Sequence, residues 1–141
     1  MRKVLVDTSI WSIAFRRQKI AEEERQIVEA LAELIGESQA VIIGMIRQEL
    51  LSGISTQKAF EELRDKMSMI DDVPTLNDDY VAAAELSNIC RCKGVQGSPI
   101  DFLICAIAIR SNLPIMTTDK DFLEYAKHIP IRLVESCPKS Q

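Results

Sequence analysis

The sequence predicts a single α/β domain in which a mostly parallel central sheet of about four to five short strands is flanked by helices. Three observations predict it. Short continuous apolar runs recur without polar alternation, as strands buried on both faces do. Helix-length segments with apolar residues at helical spacing separate them. The two signals alternate through the chain, the pattern of a layered α/β fold. With 141 residues, 47% of them hydrophobic, the chain can bury one core. The domain is assigned to residues 1–135, with 136–141 as a short C-terminal tail.

The elements follow in order. KVLVD (3–7) is a buried strand, and TSIWSIAFRR (8–17) a short helix. AEEERQIVEALAELIG (21–36) carries an apolar stripe through Ile27, Leu31 and Leu34 and stops at Gly36. AVII (40–43) is a second strand, followed by a helix over 45–53. Residues 56–70 form a helix with Phe60, Leu63, Met67 and Ile70 on one face, and VPTL (73–76) is a strand or an extended link. A helix over 78–94 ends at Gly94, and a strongly apolar helix over 98–112 begins at Ser98, a good cap, with Pro99 in its first turn. PIMT (114–117) is a strand, DKDFLEYAKH (119–128) a short helix and IRLV (131–134) a last strand.

Composition excludes several chemistries. No apolar run approaches the roughly 20 residues of a membrane span, and the N-terminal run is too short for a secretory signal, so a cytoplasmic location is expected. The four cysteines then read as reduced thiols, and the Cys90-x-Cys92 spacing is wrong for a zinc knuckle. The lone histidine, His128, precedes Pro130 at a helix end, so catalysis is expected to rest on carboxylates. A net charge of −4 (17 − 21) argues against a broad basic platform for nucleic acid but not against an enzyme with an acidic metal site.

Asp7 ends the first strand, Asp119 follows the PIMT strand, and Asp101 lies in the first turn of the apolar helix. Glu49 sits on the helix after the second strand. Each has a plain structural role open to it: helix capping for the aspartates, solvent exposure for the glutamate. Ligands of open α/β sheets gather beyond the strand C-termini, where these acids would meet. Clustered carboxylates repel unless a cation neutralises them, and an all-oxygen donor set selects Mg²⁺ or Mn²⁺ over Zn²⁺. A metal-activated water is then a nucleophile for phosphodiesters.

The ordered segments VDTSIW, IRQELLSG, SPIDFLICAIAI and LPIMTTDKDF closely resemble the PIN-domain ribonucleases, and within them the VapC-type toxins of toxin–antitoxin modules. The resemblance runs from Lys3 to about Val134. It implies an endoribonuclease dependent on Mg²⁺ (or Mn²⁺) that acts as a toxin, with Asp7, Asp101 and Asp119 as metal ligands and Glu49 completing the catalytic acids. It implies supporting roles for Thr8, Ser9 and Thr117, with Asp121 as the more peripheral acid. Arg91 and Lys93 are candidates for the RNA backbone, with Arg16, Arg17 and Lys19 as a second basic cluster. It further implies a homodimer and a cognate antitoxin protein, for whose groove Trp11, Ile13 and Phe15, or Phe60 and Met67, are candidates, although large apolar side chains of this kind more often belong to the core. The family's alanine-rich helix is here the bulkier FLICAIAI.

Other readings stay open. One is a PIN-fold RNA-processing or binding module without a toxin role; another is a DNA-directed nuclease of the same fold. A phospho-acceptor receiver domain would need an acidic pair after the first strand and an acceptor aspartate after the third; here VDTS has one acid and AVIIGM ends with none.

Overall fold

The computed structural model describes residues 2–16 and 19–135. Arg17, Cys137 and the tail 136–141 lie outside the described residues. The order is β1 (Val4–Val6), α1 (Thr8–Phe15), α2 (Glu22–Gly36), β2 (Ala40–Ile42), α3 (Gly44–Leu51), α4 (Gln57–Met67), β3 (Asp71–Asp72), α5 (Asn77–Cys92), α6 (Pro99–Ser111), β4 (Ile115–Met116) and α7 (Asp121–Ala126). No described helix is long and apolar enough to cross a membrane.

The four strands form one parallel sheet in the order β3-β2-β1-β4. All residues of β1, β2 and β4 are buried, which is why these strands read as continuous apolar runs. From β1 the chain moves to β2 on one side and later returns to β4 on the other. The gap between β1 and β4 is therefore the topological switch point, where a ligand crevice is expected.

Two elements differ from the sequence reading. The third strand lies at Asp71–Asp72 rather than 73–76, which is the extended link left open above. Aspartate is a poor strand former, so nothing local marks the strand. It is held from outside: Arg47 donates to the carbonyls of Met67 and Ile70 at 2.7 and 3.1 Å and pairs with Asp72, while Lys3 lies 3.7 Å from Asp71. The expected strand at 131–134 is reduced to one parallel bridge, between Leu133 and Ile115.

Every residue of α6 from Phe102 to Ala108 is buried, so the bulk of Ile104, Cys105 and Ile107 is absorbed inside the domain. The helix ends at Asn112, whose φ of 55° and ψ of 47° place it in the left-handed region that favours asparagine. Trp11, Ile13 and Met67 are also core residues, which removes them as groove candidates. Cys90 is buried and Cys92 exposed, so the two thiols face different surroundings.

Near the far end of α6, Arg110 makes a two-pronged bond to Asp79 on α5, Nε to Oδ1 at 2.7 Å and Nη2 to Oδ2 at 3.0 Å. Asp79 also accepts from the Leu76 amide at 2.7 Å, and Arg110 donates to the Pro74 carbonyl at 2.8 Å. The hydrogen bond from Arg110 is the main reason that Asp79 sits below the usual carboxylate range, despite its burial. A carboxyl depressed in the fold adds stability above about pH 4 that is lost as pH falls through its lowered value. Arg110→Ala strands the 2%-exposed Asp79 side chain. Removing one partner of a fully buried pair costs roughly 3–5 kcal/mol, and since Arg110 is itself 35% exposed we expect about 2 kcal/mol near pH 7. Denaturant titrations of parent and variant at pH 7 and below pH 4 test this: the gap between them should shrink in acid, and an unchanged gap would refute the assignment.

Candidate active site

The site begins with strand register. Val6 pairs with Met116, and the Asp7 amide donates to the Met116 carbonyl at 2.9 Å, so the residues just past β1 and β4 are neighbours. Those residues are Asp7 and Thr117. Thr117 Oγ1 donates to Asp7 Oδ2 at 2.8 Å, and Ser9 Oγ donates to the same oxygen at 2.9 Å. The Ser9 amide, at 3.3 Å, makes Asp7 the N-cap of α1 as well. The capping role and the place in the site belong to one carboxylate. Each hydroxyl has a single proton, already engaged with Asp7, so the 3.3 Å between Ser9 Oγ and Thr117 Oγ1 is proximity and not a further bond.

The same two hydroxyls accept from the next turn of chain. Ser9 Oγ takes the Thr118 amide and Thr117 Oγ1 the Asp119 amide, each at 3.0 Å. Asp119 Oδ1 in turn accepts from the Asp121 amide at 2.9 Å and closes the turn into α7. The resemblance makes Asp121 the more peripheral acid; Asp121 is exposed, and it is Asp119 that supplies the turn's side-chain bond.

Asp101 comes from a different element. Ser98 caps α6, its Oγ accepting the Asp101 amide at 3.1 Å. Carboxylate oxygens of Asp101, Asp119 and Asp121 lie within 4.8 Å of one another. Burial raises the Asp101 carboxyl above its ordinary range; the hydroxyls of Tyr125 and Ser98 counter this, and the charges of Asp119 and Asp7 add to it. The charge of Asp7 thus reaches Asp101, although Asp7 is not one of the three convergent acids. Glu49 is exposed on α3 and joined to the site through Thr8, whose Oγ1 donates to Glu49 Oε1 at 2.8 Å. Arg91 and Lys93 are exposed at the end of α5, where Arg91 bonds locally to Asn88 at 2.6 Å.

Two residues of the site carry little mark in the sequence. Tyr125 is fully buried and its hydroxyl donates to Asp101 Oδ2 at 2.6 Å. Burial, with the adjacent Asp101 carboxylate, pushes that hydroxyl far above its ordinary value, so it remains a donor. Its signal was faint: a tyrosine one helical turn after Asp121, with a polar tip that needs a partner when buried. Gly97 lies against the Tyr125 ring, and nothing local to it marks that contact.

The two buried aspartates among the described residues, Asp7 and Asp79, are handled differently. Asp79 is neutralised by Arg110. Among the described residues, no lysine or arginine pairs with Asp7, Asp101, Asp119, Asp121 or Glu49; neutral hydroxyls hold Asp7, Asp101 and Glu49, and Asp119 accepts from a backbone amide. Such hard-oxygen donors, short of positive charge, fit a divalent cation of the Mg²⁺ or Mn²⁺ type.

The PIN domain family profile matches residues 4–128. The chain belongs to the PIN domain family. No curated protein sequence is significantly similar to it. Among solved structures it is similar to FitAcB from Neisseria gonorrhoeae, with a TM-score of 0.74 and 18% identity over 94% of this chain and 97% of that one. DNA-bound VapBC from Salmonella typhimurium gives 0.71 and 19% over 97% and 100%. VapC20 from Mycobacterium tuberculosis, a sarcin–ricin loop cleaving toxin, gives 0.65 and 16% over 92% and 99%. At these identities the likeness concerns the fold.

Thr117→Val removes both the donor to Asp7 and the acceptor of the Asp119 amide at almost constant volume. Leaving such partners unsatisfied costs roughly 1–3 kcal/mol. Denaturant unfolding should show that loss for valine and little for Thr117→Ser; a valine variant as stable as the parent would dismiss the network as incidental.

Proposed function

We propose that this chain is a divalent-cation-dependent endoribonuclease, using Mg²⁺ or Mn²⁺, that acts as the toxin of a toxin–antitoxin pair. The observation that carries the reading is the convergence of Asp101, Asp119 and Asp121 beside Asp7, with no basic side chain paired to them among the described residues. Membership of the PIN domain family supports it. So does the company of its fold: VapBC and FitAB complexes, and a VapC toxin that cleaves the sarcin–ricin loop.

In this reading Asp7, Asp101 and Asp119 hold the cation, Asp121 adds charge to the same cluster, and Glu49 is positioned by Thr8. The cation, when bound, neutralises the cluster, shields the phosphodiester and makes a water more acidic. The chain supplies the rest. Ser9 and Thr117 hold Asp7 through one oxygen, Oδ2, without adding charge. Thr117 and Ser9 also fix the turn that carries Asp119. Arg91 and Lys93 lie within reach of solvent to meet the RNA backbone, a contact that adds affinity but carries no sequence information. A homodimer and a small antitoxin protein, expected to copurify when both are expressed from one operon, complete the proposal.

The test is cleavage of a short single-stranded RNA, beside DNA of the same sequence, by the purified chain. The parent should cut RNA with Mn²⁺ or Mg²⁺ and stop on chelation. Asp7→Asn and Asp101→Asn should be slower by at least about a hundredfold, the equivalent of about 2.7 kcal/mol of transition-state stabilisation. An Asp101→Asn variant that cut as fast as the parent would sink the reading, and preferential cleavage of DNA would redirect it.

Thermal unfolding gives a second test. Cation at a hundred times its Kd should stabilise the parent by about 2.7 kcal/mol. Asp101→Asn should not respond. Without cation that variant should melt no lower than the parent, because the charge it removes is disfavoured by burial and by Asp119 and Asp7.

A further inference from the structure

The three convergent carboxylates come from two independently placed elements. Asp119 and Asp121 belong to the turn and first residue of α7, whereas Asp101 belongs to the first turn of α6. Their mutual repulsion favours rotating Asp101 away, so something must hold α6 and α7 together at this point.

Tyr125 spans the gap. It is on α7, one turn after Asp121, and its hydroxyl bonds Asp101 Oδ2 at 2.6 Å. The ring is fixed from both elements: Phe102 of α6 lies 4.8 Å away between ring centroids, and Phe122 of α7 packs edge-on at 5.2 Å. Its remaining side meets Gly97. A Cβ there would fall 2.6 Å from Cζ and 2.9 Å from Cε1, and closer still to the hydroxyl oxygen. Gly97 is exposed, so an apolar core does not require its small size; the phenol does.

We propose that Tyr125 is a positioning residue for the cation site, locking the Asp101 carboxylate into the acidic cluster, and that Gly97 is the clearance this lock requires. The inference rests on the cation-dependent reading above and extends it to residues that touch neither cation nor RNA. With Oδ2 engaged by the phenol, the Asp101 carboxylate is held in one orientation, in which it would serve as a cation ligand. Hydrogen-bonded partners that orient metal ligands in this way typically raise metal affinity by about 10–100-fold.

The test titrates Mn²⁺ into the purified full-length chain, reading free Mn²⁺ by electron paramagnetic resonance, for the parent, Tyr125→Phe, Gly97→Ala and Asp101→Asn. Tyr125→Phe keeps the ring and removes one oxygen. It should bind Mn²⁺ about 10–100-fold more weakly. RNA cleavage should return to within a few-fold of the parent at saturating Mn²⁺, a split that general loss of structure does not produce. Gly97→Ala should weaken binding in the same direction, since its methyl group displaces the phenol. It also provides the answer should Tyr125→Phe fail to fold. If parent and Tyr125→Phe bind alike, within about twofold, while Asp101→Asn does not bind, the positioning role is overturned and the cation site stands. If the parent binds no Mn²⁺, or Asp101→Asn binds as the parent does, the cation reading itself falls and this inference with it.

Discussion

The pairing of β1 with β4 is the constraint on which the site depends. Val6 opposite Met116 makes Asp7 and Thr117 neighbours, and from that contact follow the Ser9 and Thr117 bonds to Asp7 and the anchoring of the turn at Thr118 and Asp119. A slip of one residue would turn Thr117 to the other face of the sheet and dissolve the network. The register is protected by packing, since Leu5, Val6, Ile115 and Met116 are all in the core and a slip would force both buried faces of the sheet to repack.

Held this way, the acids present a problem that the rest of the domain contains and does not remove. Elsewhere the chain solves it fully: Asp79 has Arg110 in a two-pronged bond and its charge is matched. In the candidate site the donors are the hydroxyls of Ser9, Thr117 and Tyr125 and backbone amides, which orient carboxylates without cancelling them. An arginine there would stabilise the free protein and compete with any cation. The residual repulsion is what a bound cation would relieve, and that makes stability and ligand binding one equilibrium.

Much of this was legible in the sequence because the signals were local. Continuous apolar runs marked β1, β2 and β4, and Ser98 with Pro99 marked the start of α6 to the residue. Asp7, Asp101 and Asp119 stood out as acids at element junctions. The failures were non-local. The third strand is two aspartates stabilised by Arg47, Lys3 and β2, none of them adjacent in sequence. The last strand shrank to a single bridge because its pairing is decided by the edge it meets at Ile115. Trp11 and Met67, for which the core was the favoured place, are core residues.

The sequence by itself determined the α/β class, the element order and the acidic character of the strand ends, since these follow from hydrophobic period, caps and residue type. Only the tertiary structure decided how the acids share their work. It gave Asp119 the turn, brought Asp121 into the cluster, linked Glu49 through Thr8, and seated Tyr125 on Asp101 above a glycine from a third segment. The reason is physical: caps and periodicity act within a few residues, whereas a hydrogen bond between α6 and α7 depends on how two packed helices meet.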